Sequence, residues 1–361
     1  MSISILLKSL SRRITSWKTI QNMLKLCNLP LGQGKDKTLK KLEEKTQKVD
    51  ELTDNFLELE RLYCNHILIG QKAVKLIQVE QQYIDKLIFL FKSHQIDSTI
   101  FHKTYPFILS EEDLTEIDFL PKLVDIQDTF ETLSLIFCTR RSFIERTEID
   151  INNFNQETQN KLIYYDKVIG TKKQIKQLFD VIVIQKEKEI IEVRIDVDNN
   201  FSSQERNNSF IKIINVFNKL IEEKLGIEKV LKDPINFFPL INKFYTSNNE
   251  GKVINLSFTT DEGSIKFEKM RKGKVDLRLE TYHKAGKNAV HHITPYQITI
   301  LWDSKILEEI KNQIELILPG KLYSLSTTNP SLEEVIIEKC IVLEEYNFIL
   351  HKINTYLNHV S

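Results

Sequence analysis

The chain's 361 residues exceed the roughly 100–200 of a typical domain and point to two or three. With 41% hydrophobic residues it can build cores, which excludes wholesale disorder; ten glycines and eight prolines are too few for collagen-like, low-complexity or many-turned all-β chains. Fifty basic and fifty acidic residues cancel, so the whole-molecule charge points neither to nucleic acid nor to a membrane surface.

Residues 1–35 lack Asp and Glu but carry Lys8, Arg12, Arg13, Lys18, Lys25 and Lys35. Such a segment reads either as an organellar transit peptide or as a basic first helix docking on an acidic surface of the same chain. The second reading is preferred, because residues 111–131 carry eight acids against the single Lys122. Gly32 to Thr38 superficially resembles a phosphate loop, but Leu29 replaces the first glycine and no strand precedes it. From Lys37 to Phe91 apolar residues recur at helical spacing. Leu39, Leu42, Val49, Leu52, Phe56, Leu59 and Tyr63 form a seam, and Ile67, Leu68, Ile69, Val74, Leu76 and Ile77 widen it. The widening predicts a helix packed within its own domain rather than a free coil. Ser110 heads a run of acids suited to a helix start, and helical patterning is expected to about Glu148 and again from Gln156 to Phe179.

The period changes after Phe179. Val181–Ile184 and Ile190–Val197 predict a hairpin, with Glu192, Arg194 and Asp196 on a wet face. A helix is expected from Gln204 to Leu225, capped at Ser203 and closed by Gly226. Further strands are predicted at 252–259, 264–270, 274–281 and 296–302. Helices are then expected from a cap at Asp303 or Ser304 to a point before Pro319, and from Asn329 to about His359.

Four cysteines without a CxxC pair are too sparse for a disulfide scaffold and suit a reducing compartment. No apolar run reaches the roughly 18 residues of a spanning helix. A cytoplasmic location follows, with an organelle as the alternative if residues 1–35 are a transit peptide.

The strongest local chemical signal lies in 264–292. Lys266, Lys269, Arg271, Lys272, Lys274, Arg278, His283, Lys284 and Lys287 outweigh the acids Glu268, Asp276 and Glu280. Cations with interleaved aromatics are the footprint of a surface that binds anions or nucleic acid, whereas lysines at a hairpin also simply guard a sheet edge. His283, His291 and His292 near Asp276 and Glu280 raise a nuclease or metal reading. A nuclease core would place Lys two residues after its Glu; here Lys284 follows Glu280 by four, and no Cys is near to complete a zinc site. No hydrolase, kinase or dinucleotide motif occurs, so no catalytic residue, metal ligand or cofactor is assigned.

These features predict an α+β protein: a basic N-terminal segment (1–35), a helical bundle (36–178), and a domain of mostly antiparallel strands flanked by helices (179–361). The expected function is a non-enzymatic interaction or regulatory protein with a helical assembly region and a basic contact surface on the C-terminal sheet. A protein partner is expected. The alternative is a nucleic-acid-binding protein, or a nuclease, using 264–292.

Overall fold

The computed structural model describes residues 3–45, 52–198, 201–271, 273–305, 307 and 310–358. Lys272 of the basic segment and Val49 of the helical seam therefore lie outside the described residues. The fold is α+β, as expected. Among the described residues ten strands form one antiparallel sheet: β1 (Lys72–Gln78), β2 (Lys122–Asp128), β3 (Thr132–Ile149), β4 (Val168–Gln185), β5 (Ile190–Asp196), β6 (Lys252–Thr260), β7 (Ile265–Lys269), β8 (Ile293–Asp303), β9 (Gln313–Leu318) and β10 (Val335–Glu338). Their spatial order is β2-β3-β4-β5-β1-β10-β9-β8-β6-β7. The sheet is continuous across residue 178, which lies inside β4.

Helices cover the sheet unequally. Helices α1 (Ile3–Arg13), α2 (Trp17–Leu26), α3 (Lys35–Lys45) and α4 (Thr53–Ile69) bury Leu6, Leu10, Met23, Leu42, Phe56, Leu59 and Tyr63 against Ile136, Phe179 and Val181. The seam of α3 and α4 thus faces its own core. Beside them on the same face, α10 (Phe238–Thr246) and α12 (Leu343–Asn358) pack on β6, β8, β9 and β10. On the opposite face α5 (Gln81–Lys92) and α9 (Ser203–Leu225) cover β1, β3, β4 and β5. The capping box of α9 is made by Ser202 with Glu205, one residue earlier than expected, and Gly226 closes the helix with φ 66°.

Several expected helices are strands. Residues of β1, β2, β3 and β4 replace helical stretches predicted between 67 and 179, and β9 and β10 replace helical stretches after Ser304. The physical reason in β3 is double cover: Leu133 to Cys138 are buried on both faces, so the strand reads as a continuous apolar run, whereas the hairpin expected at Val181–Ile184 and Ile190–Val197 is present in β4 and β5. Conversely, 274–281 is no strand. Asp276 accepts the Arg278 N–H to close a tight turn, and Glu280 accepts the His283 N–H to start α11 (Thr281–Asn288).

The basic first helix does meet the acidic segment, through Arg12 and Glu111 at 3.0 Å. Its main anchor is apolar burial of Leu6, Leu7 and Leu10. Among the described residues no helix is long and apolar enough to cross a membrane.

Candidate functional site

Around β7 the structure sorts the predicted cations into two kinds. Arg278 is buried and turned inward. It grips the Asp276 carboxylate with Nε at 3.0 Å and Nη2 at 2.5 Å, and donates to the carbonyls of Phe244 (3.0 Å), Ser247 and Gly251 (2.8 Å). His283 is buried as well. Its Nδ1 lies 2.6 Å from Glu268 Oε2 and its Nε2 3.0 Å from the Tyr245 hydroxyl. Burial pushes Tyr245 up to about 12, with the Glu268 charge adding to the effect, so the hydroxyl keeps its proton. The carboxylate–imidazole–phenol chain braces α11 against β7 from the side of α10.

Lys266, Lys269, Arg271, Lys274, Lys284 and Lys287 are exposed, and among the described residues none forms an ion pair. Lys287 does lie over the Tyr245 ring, 5.0 Å from its centroid. The three acids of the same segment are all engaged: Glu268 by His283, Asp276 by Arg278, and Glu280 by the N-terminus of α11. The free cations do not share one face. On β7 Lys266 and Glu268 lie opposite Phe258 and Leu256, on the helix-covered side, while Lys269 shares the other side with Ile265 and Phe267. His291 and His292 are exposed, away from buried His283, and among the described residues no three His, Cys, Asp or Glu side chains form a metal-binding group.

The sheet's two edges also differ. At β2 the ladder bulges between Leu123 and Asp125, and His102 of α6 (Ile100–Thr104) approaches the Val124 carbonyl at 2.9 Å. Among the described residues no strand lies beyond the edge at β7. Phe267 there is 73% exposed and Ile265 45%.

A second charged cluster escaped sequence reading. Glu192, Arg194 and Asp196 of β5 are buried beneath the helices instead of wet. Lys72 stands directly across from Asp196 in the β1–β5 register and donates to it at 2.6 Å, and Arg13 of α1 joins at 2.7 Å. The same carboxylate accepts the Phe179 N–H at 2.8 Å, while Lys72 also donates to the Phe179 carbonyl. Burial would raise the Asp196 pKa, but Arg13 and Lys72 hold it below the ordinary carboxylate range. Burial pulls Lys72 down to about 8 against the opposing pull of Asp196. Next to it Arg194 pairs with Glu192 at 2.9 Å and lies over the Tyr346 ring of α12.

A cavity of about 360 Å³ opens above this cluster, between the α1–α2 junction, β4 and the end of β10. Among the described residues its charged side chains have partners: Arg12 has Glu111, Arg13 has Asp196, Lys176 has Asp198, Lys339 has Glu315, and Glu338 has Gln71, while the buried Arg13 Nε and His66 Nδ1 make no hydrogen bond. Among the described residues it offers a ligand no charged side chain without a partner. Comparison with protein-family models, curated proteins and solved structures returns no match.

Proposed function

We propose that the chain is a non-enzymatic interaction protein whose contact surface is the cationic region around β7, with the helical layers as its scaffold. One observation carries the reading. Among the described residues six exposed cations stand without carboxylate partners, while every acid of the same segment is already engaged. Unpaired surface charge of one sign steers and orients a partner of the opposite sign. The partner expected is an acidic protein.

The test is capture by the tagged full chain, with and without nuclease, beside a variant carrying Lys266→Glu, Lys269→Glu and Lys274→Glu. An acidic protein held after nuclease treatment, released by salt and lost in the variant supports the reading. Capture that nuclease abolishes rejects it and favours nucleic acid instead. That second reading has its own support: Tyr282 and Phe267 are exposed among the cations, as bases would need for stacking. Its signature is a slope of about −0.7 to −0.9 in log K against log salt for each phosphate neutralised.

A further inference from the structure

We infer that β7 receives an extended, acidic segment of a partner protein as an eleventh strand of the sheet; this rests on the reading of the region as a protein contact surface. The hydrogen-bond phase of the ladder sets which groups are free. Thr260 N–H bonds Ser264 O at 3.0 Å and Met270 N–H bonds Ile254 O at 2.9 Å, with Lys266 opposite Phe258 and Glu268 opposite Leu256. In an antiparallel pair hydrogen-bonded positions alternate. Lys266 and Glu268 therefore turn their main-chain groups toward β6, and Ile265, Phe267 and Lys269 turn theirs outward, where no described residue meets them.

Side chains sharpen the recognition. A strand antiparallel to β7 would place the residues that bond Ile265, Phe267 and Lys269 on the Phe267 face, where apolar side chains fit. The alternating residues would fall on the face of Lys266, where a carboxylate fits, beside Glu268, which His283 already engages. Lysines alone are the ordinary guard of an edge. Here two exposed apolar side chains lie between them, and the charge excess extends past the edge to Arg271, Lys274, Lys284 and Lys287. The other end of the sheet is blunted by a bulge and by α6, so the open edge is specific to β7.

Fluorescence anisotropy on the full chain tests this with a labelled heptapeptide, Glu-Val-Glu-Val-Glu-Val-Glu. Two versions carry N-methyl groups, one on the valines and one on the central glutamates. Valine N-methylation should weaken binding at least tenfold, because those N–H groups face β7, while glutamate N-methylation should change it less than threefold. A chain carrying Phe267→Pro, which removes an outward N–H and no ladder bond, should bind the parent peptide as weakly as wild type binds the valine-methylated one. If both methylated peptides bind like the parent, strand addition is wrong and the acidic contact surface stands. If no acidic peptide binds, or only an oligo-dT control does, the underlying reading falls as well.

Discussion

The ionic layer under α1 and the basic region around β7 are built from similar sequence and have opposite fates. Both place charges at alternate positions of a strand: Glu192, Arg194 and Asp196 on β5, Lys266 and Glu268 on β7. On β5 helices cover that face, so each charge must be matched inside: Asp196 by Lys72 and Arg13, Arg194 by Glu192. At β7 only Glu268 is matched, and the neighbouring lysines remain in water. Alternating charge identifies a face; whether it is wet depends on what packs on it. The difference separates charges that hold the fold from charges free to meet a partner.

The largest test of that division is Asp196→Ala. It would leave Lys72 and Arg13 buried without their carboxylate and free the Phe179 N–H. Removing one partner of a buried ion pair costs about 3–5 kcal/mol. Urea denaturation should show a loss of that order; a loss under about 1 kcal/mol, small on the same scale, would mean the cluster is not the anchor described.

The interior should also answer to pH. Burial pushes His66, whose Nδ1 has no hydrogen-bond partner among the described residues, down to about 3, and the nearby Arg13 charge adds to this. An unfolded histidine titrates near 6.5, so between about 6.5 and 3 the unfolded state binds the extra proton and stability falls as pH drops. At about 1.4 kcal/mol per pH unit this approaches about 3 kcal/mol by pH 4. The Asp196 contribution is intact above about pH 4 and is lost only as pH falls further through its depressed value. His66→Gln should flatten the upper limb of the stability curve and leave the lower one. An unchanged upper limb would assign the slope to other groups.

Arg278→Lys probes the inward-turned member of the basic segment. A lysine cannot reproduce the two-nitrogen grip on Asp276 together with the carbonyl contacts to Phe244 and Gly251. The expected cost is about 2 kcal/mol, read as a lowered urea midpoint. A variant as stable as wild type would return Arg278 to the ligand-facing set.

Much of this organisation was legible in the chain, and its gaps have physical causes. At Lys252–Thr260 and Ile265–Lys269 the pattern and flanking glycines sufficed. The capping signals of α9 placed it within a residue. Strands covered on both faces, such as Leu133 to Cys138, have no alternation to read. The Asp196 cluster was invisible because its partners stand 124 and 183 residues away. The charge excess of 264–292 was plain; the inward turn of Arg278 was hidden, although its partner Asp276 is only two residues before it. That spacing, an Asp able to cap a turn just ahead of an Arg, was the available signal.

The smallest expected effect bears most directly on function. Replacing Lys266, Lys269 and Lys274 together by Gln removes three exposed charges that make no ion pair among the described residues. Stability should change by less than about 0.5 kcal/mol, as for surface substitutions away from caps and cores. Any change should be a gain, since like charges around one strand repel. It should shrink between low salt and about 0.15 M, where screening acts over about 8 Å. Affinity for the acidic heptapeptide should fall in the same variant, because the charges it needs are gone. A variant clearly less stable than wild type would show that these lysines are bound into the fold, and the contrast with the ionic layer beneath α1 would disappear.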